Sequence, residues 1–117
     1  MQGIFSVGVI VLALGGCTTS PQEMRVEGPL NSFTTHKPEQ QVAECILYAW
    51  QNESLAGAHY NVSLQPRPSG GKSVISANNR EMADVIGNKE STKVQFYSSS
   101  SMSWISDRRV ASLKPCL

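Results

Sequence analysis

Apolar and polar positions alternate most regularly between residues 39 and 97, and the first part of this pattern has the period of a helix. Over Glu39–Gln51 the apolar side chains recur at a spacing that places them on one helix face: Val42, Ile46, Ala49 and Trp50. Pro38 is tolerated in a first helical turn, and Glu39 brings negative charge to the positive end of the helix dipole. The pattern predicts a core-facing helix over this range, with Cys45 at the border of its apolar face.

The period changes to two after residue 60, which is typical of half-buried strands. Tyr60, Val62 and Leu64 point to one side of the first predicted strand, and polar residues point to the other. Four strands are predicted, over residues 60–65, 72–77, 82–86 and 92–97. The segment 66–71 contains the prolines and glycines that favour a turn, so we expect the first two strands to form a hairpin.

The C-terminal part predicts a second, shorter helix. Four serines at 98–101 end the fourth strand, and the residues that follow indicate a helix over 104–113, with Ser103 as its N-cap and Pro115 after its end. The expected fold class is α+β, with an N-terminal helix, a four-stranded, mostly antiparallel sheet and a short C-terminal helix. Because an antiparallel sheet can keep one face solvated, we expect both helices on the other face.

The first seventeen residues carry a targeting pattern. An uncharged apolar run over residues 4–14 leads into Leu14-Gly15-Gly16-Cys17. The run is shorter than the about 20 apolar residues that a membrane-spanning helix needs, and it has the length of a signal-peptide core followed by small residues. This stretch resembles the signal peptide and lipobox of bacterial lipoproteins. The alternative interpretation is a buried strand or helix that ends in a core cysteine.

The resemblance implies that residues 1–16 are removed and that Cys17 carries several acyl chains, such as palmitate, which together anchor the chain to a membrane. Thr18 stands where an aspartate would favour retention at the inner membrane in enteric-type lipoproteins, which points to the outer membrane and to a domain that faces the periplasm or the cell surface. Small and polar residues dominate 17–38 and predict a lipidated flexible tether, with a short apolar patch that could dock on the domain. Residues 39–117 then form one small α+β domain.

The sequence contains three cysteines. If Cys17 carries lipid, Cys45 and Cys116 remain, and an exported chain enters an oxidising compartment in which paired thiols persist as disulfides. We predict a Cys45–Cys116 bridge, which closes a loop of about 70 residues and contributes on the order of 4 kcal/mol in the chain-entropy model. The alternatives are two buried free thiols or a metal site, although His36 and His59 do not have the spacing of metal ligands.

Composition and charge narrow the classes of function. The 10 Lys and Arg and 9 Asp and Glu are scattered, so the chain has no basic footprint for nucleic acid. Arg108-Arg109 is the one adjacent basic pair, and we expect it on a solvated helix face.

Glu81 and Asp84 have an odd spacing that puts them on opposite sides of a strand, and we expect both at the surface or in turns. No catalytic or cofactor motif is recognisable, so we expect neither enzymatic activity nor a cofactor or metal.

One surface is a candidate for binding. Tyr97, Met102 and Trp104 flank the serine run, and residues of this kind are enriched at interaction hot spots. The alternative places Trp104 in the packing of the last helix against the sheet. The expected function is that of a lipid-anchored accessory component of an envelope complex with a protein partner. Two other functions remain open: an inhibitor or exclusion lipoprotein that blocks a hydrolase, a phage receptor or an incoming plasmid, and a small hydrolase.

Overall fold

The computed structural model describes residues 20–76, 79–99 and 102–117. The predicted leader and Cys17 lie outside the described residues, so the lipobox stays a prediction. In chain order the elements are α1 (Pro21–Glu27), β1 (Asn31–Thr35), α2 (Glu39–Gln51), β2 (Val62–Pro66), β3 (Lys72–Ser76), β4 (Glu81–Gly87), β5 (Thr92–Ser98), α3 (Ser103–Leu113) and a 3₁₀ turn (Lys114–Cys116). None of the helices in these segments is long and apolar enough to cross a bilayer.

The strands form one antiparallel sheet with the order β1-β5-β4-β3-β2. Strands β2 to β5 follow one another along the sheet, and β1 pairs with the outer edge of β5. The α+β class is therefore confirmed, but the expected number of strands was wrong because β1 was not predicted. In this topology the β2–β3 turn and the β4–β5 turn lie at the same end of the sheet, and the β3–β4 turn lies at the opposite end.

Helix α2 begins and ends at the predicted residues, and its apolar face covers one face of the sheet. Its buried side chains are Val42, Ala43, Ile46 and Trp50. They pack with strand side chains that alternate onto the same face: Val62, Val74, Ala83, Val85, Val94 and Phe96. Burial of each large apolar side chain contributes about 1.5–3 kcal/mol, so this layer is the main source of stability.

Helix α3 lies on the same face of the sheet, beside α2. Leu113 and Cys116, near the end of the chain, belong to the core that α2 and the sheet form. The expectation that the two predicted helices share one face is confirmed. The expected cap is wrong: Ser103 is the first helical residue, and the N-cap position is Met102, which makes no capping side-chain hydrogen bond.

The segment predicted as a flexible tether is ordered over its described part, which corrects that expectation. Ser20 and Glu23 form a capping box at the start of α1. Met24 of this helix is buried on the second face of the sheet, in a small cluster with Ile75, Met82 and Tyr97. Helix α1 could not be recognised from the composition of residues 17–38. Only one buried methionine and one ion pair fix it, so its sequence has no apolar periodicity.

Candidate functional site

Strand β4 carries two buried carboxylates that face opposite sides of the sheet. Glu81 is 1% exposed and Asp84 is fully buried. Their opposite orientation was predicted correctly, but their assignment to the surface or to turns is wrong. Asp84 meets two arginines that are distant in the sequence, and Glu81 meets one; pairing of this kind is what permits a charged side chain to be buried.

Asp84 lies under α1 and is held by three side chains. Arg25 of α1 donates from Nε to Oδ2 at 2.8 Å and from Nη2 to Oδ1 at 3.0 Å. Ser73 donates to Oδ1 at 2.6 Å, and Arg67 donates to Oδ2 at 3.3 Å. Burial alone disfavours the charged carboxylate, but these hydrogen bonds and the two arginine charges outweigh it and lower the pKa of Asp84.

Glu81 lies on the other face, close to Arg109 of α3. The Nε of Arg109 is 3.7 Å from Oε1 of Glu81, beyond hydrogen-bond distance, and neither atom has a hydrogen-bond partner in the described structure. Arg109 instead donates from Nη1 to Glu53 Oε1 and to the Trp50 carbonyl, each at 3.1 Å, and its guanidinium lies 5.1 Å from the Trp50 ring centre. Burial therefore dominates and raises the pKa of Glu81, although the Arg109 charge opposes it.

These two clusters connect helices to opposite faces of the same strand. The Asp84 cluster fixes α1, and in the second cluster the hydrogen bonds from Arg109 to Glu53 and to the Trp50 carbonyl fix α3 against α2. Arg109 is fully buried, so the expectation that Arg108 and Arg109 share a solvated face is wrong for Arg109. The clusters are structural connections. Their role could not be derived from local sequence, since the partners of each carboxylate come from other elements.

The predicted disulfide is present. Cys45 of α2 is bonded to Cys116, with their Cα atoms 5.6 Å apart and 71 positions apart in sequence. The alternatives of two free thiols or a cysteine metal site are therefore excluded. The bridge joins α2 to the 3₁₀ turn that follows α3. No group of metal-ligating residues occurs in the part of the chain that the structure describes.

A polar cleft of about 510 Å³ opens at the end of the sheet where β1 ends and α2 begins. Its lining residues are His36, Lys37, Pro38, Glu39, Gln40, Lys72, Gly87, Asn88, Lys89, Glu90, Ser91 and Thr92. Glu39 accepts hydrogen bonds from the Gly87 amide at 2.8 Å and from Lys72 Nζ at 3.3 Å. Within the described segments neither Lys37 nor Lys89 has an ion-pair partner. We call this end, with the turns 67–71 and 88–91, the basic end.

The fold does not bring the three residues of the predicted interaction patch together at the surface. Tyr97 is buried against α1 and is only 4% exposed, so its assignment to the patch is wrong. Met102 and Trp104 remain at the surface, 54% and 42% exposed, where α3 begins. Leu30 is 60% exposed at the same end of the sheet, since its amide donates to the Phe96 carbonyl at 2.8 Å. Leu30, Met102 and Trp104 define what we call the apolar end.

The two histidines occupy different surroundings. His36 lines the cleft, with Nδ1 at 3.4 Å from the Glu90 carbonyl, and His59 is exposed just before β2.

Comparison of this chain with protein-family models, curated proteins and solved structures finds no match.

Proposed function

We propose that this chain is a bacterial envelope lipoprotein, acylated on Cys17, whose domain binds a protein partner as an accessory component of an envelope complex. The apolar run and the sequence Leu14-Gly15-Gly16-Cys17 support acylation. Thr18 supports placement at the outer membrane, with the domain in the periplasm. The disulfide is consistent with an oxidising compartment, because such bridges are rare in proteins of the cytosol.

The observation that carries the proposed binding role is the exposure of large apolar side chains at the apolar end. Partly exposed Trp and Met side chains can bury considerable area against a partner, and tryptophan is prominent among interaction hot spots. The start of α3 is a firm support for them, since Ser106 donates to Ser98 at 2.8 Å and Arg109 fixes the next turn. A partner would therefore meet Met102 and Trp104 without ordering a flexible segment first.

Acylation is tested by metabolic labelling with radioactive palmitate. The wild-type chain is expected to incorporate label and to fractionate with membranes. Cys17→Ala is expected to abolish both, because it removes the thiol that receives the diacylglycerol. Cys45→Ala, which leaves Cys17 in place, is the matched control and should retain the label. Labelling that persists in Cys17→Ala would contradict the assignment as a lipoprotein.

The binding role is tested by chemical cross-linking in cells, followed by purification of the chain from detergent-solubilised envelope. Recovery of several envelope proteins supports an assembly role, and recovery of one hydrolase or receptor supports the alternative of an inhibitor or exclusion lipoprotein. Trp104→Ala is expected to reduce recovery at least tenfold, which corresponds to about 1.4 kcal/mol. Tyr48→Ala removes a side chain on α2 that is 58% exposed, and it should leave recovery unchanged. Equal recovery with both variants would exclude the apolar end as the binding surface.

A further inference from the structure

We infer that the basic end of the domain rests against the anionic phospholipid headgroups of the membrane that holds the Cys17 anchor, so that the apolar end points away from the bilayer. This inference rests on the proposed acylation and adds an orientation to it. Three observations carry it: the short connection between Cys17 and α1, the position of α1 on the sheet, and the distribution of basic side chains.

The connection to the anchor is short. Cys17 precedes Ser20 by three positions, and three residues span at most about 11 Å when fully extended. Ser20 is the N-cap of α1, and α1 is fixed to the sheet by the Arg25–Asp84 ion pair. The anchor therefore cannot hold the domain at a distance from the lipid, as a long tether would.

Helix α1 begins beside the basic end. Pro21 and Gln22 line a groove together with Pro66 and Pro68, which border the β2–β3 turn. The seven residues of β4 extend about 23 Å, which is roughly twice the reach of the connection. Contact of the apolar end with the bilayer would carry the start of α1 away from the membrane, so the covalent connection favours the basic end.

The charge at this end suits an anionic surface. Lys37, Lys72 and Lys89 line the cleft, and Arg67 lies at the neighbouring turn. Arg67 and Arg25 share one carboxylate, Asp84, so their cluster keeps a net positive charge. A basic residue close to an anionic bilayer contributes about 1 kcal/mol, which is about a fivefold preference.

The carboxylates at this end are largely engaged within the protein. Glu39 accepts from Lys72 and from the Gly87 amide, and Glu23 accepts from the Ser20 amide at 2.9 Å in the capping box. Glu90 contributes the remaining exposed carboxylate of the cleft. Lys37 and Lys89 lack ion-pair partners in the described structure and are therefore the side chains best placed to contact headgroups.

The orientation is tested with the acylated protein in vesicles of phosphatidylcholine and phosphatidylglycerol that contain a lipid with a gadolinium-chelate headgroup. Amide signals of residues 67, 69–71 and 88–91 are expected to broaden strongly, and those of residues 102–106 to stay sharp. Lys37→Gln and Lys89→Gln should each lower the population ratio of this orientation to the others about fivefold. Arg80→Gln removes a positive charge at the β3–β4 turn, at the opposite end of the sheet. It is the matched control and should not lower this population ratio.

Stronger broadening at residues 102–106, or equal broadening at both ends, would overturn the inference. An unchanged ratio in both lysine variants would overturn the headgroup contact. Mass spectrometry of the N-terminal peptide from the same sample separates this failure from that of the proposed function. If acyl chains are present but the orientation differs, the inference alone fails; if they are absent, the lipoprotein assignment fails and the inference fails with it.

Discussion

Asp84→Asn tests whether a buried ion pair holds α1 on the sheet. The substitution preserves the shape of the side chain but removes the charge that faces Arg25 and Arg67. The substituted side chain can still accept hydrogen bonds through its amide oxygen. Its NH₂ group, however, is a hydrogen-bond donor that faces the donor groups of Arg25 or Arg67. The variant therefore leaves two guanidinium groups around a neutral side chain in a site where Asp84 itself is fully buried.

Breaking a buried ion pair by removal of one partner typically costs about 3–5 kcal/mol. We expect a loss near the lower limit, about 3 kcal/mol. The side chains of Arg25 and Arg67 are 18% and 20% exposed, so both guanidinium groups retain some hydration when the carboxylate is removed. For a domain of this size each kcal/mol lowers Tm by about 4–8 °C, so a decrease of about 15 °C is expected.

The effect depends on pH in a defined direction. The pKa of Asp84 is lowered in the folded protein from its ordinary value of 3.8. Its stabilisation is therefore fully present above pH 3.8 and is lost as the pH falls through the lower folded-state pKa. The difference in unfolding free energy between wild type and Asp84→Asn should be constant from pH 5 to 7 and should shrink below pH 3.8.

Urea unfolding followed by circular dichroism at several pH values measures this difference. Glu90→Gln is the matched control, because it removes an exposed carboxylate and should change stability by less than about 0.5 kcal/mol. Arg25→Gln should cost less than Asp84→Asn, because Arg67 and Ser73 still hold the carboxylate. A loss below about 1 kcal/mol in Asp84→Asn at pH 7, or a loss that persists at low pH, would refute the argument.

Three further substitutions test other parts of the fold. Glu81→Gln should raise the free energy of unfolding at pH 7, because burial raises the pKa of Glu81 in the folded state. The stability that protonated Glu81 contributes is present below its ordinary pKa of 4.5 and is lost as the pH rises through the raised pKa. A free energy of unfolding at pH 7 that is lower for Glu81→Gln than for wild type in urea unfolding would contradict this. Cys45→Ser should lower the free energy of unfolding by about 4 kcal/mol and leave the Cys116 thiol reactive toward maleimide in denaturant. If both cysteines of the wild-type protein react with maleimide without reductant, the bridge is absent. Gly71→Ala should cost about 2–3 kcal/mol, since its φ is +93° and a Cβ would lie 2.6 Å from a backbone carbonyl of β4. Gly70→Ala, with a similar φ but open space around it, should cost about 1 kcal/mol in the same measurement, and equal losses would argue against the close contact.

The interaction patch and the tether show where local reasoning failed. Tyr97 belongs to a strand whose alternate residues face opposite sides, and the sequence did not reveal that a helix covers the second side. Residues 17–38 lack apolar periodicity, so nothing local indicated that Met24 and Arg25 would fix α1. Both errors have the same cause: Tyr97 is covered by Met24 of α1, and Met24 and Arg25 in turn meet strands that lie far along the chain.

The sequence by itself determined the helix over Glu39–Gln51 and the presence of the four strands β2 to β5, and it predicted the Cys45–Cys116 pairing. Periodicity fixes which side chains a helix or strand can bury together, and the pairing follows once export is inferred. Only the tertiary structure decided that β1 and α1 complete the sheet and its second face, and that Glu81 and Asp84 are buried. The ion pairs and the pairing of β1 with β5 join residues that are tens of positions apart in the sequence. No local pattern predicts which of these distant residues come into contact when the chain folds.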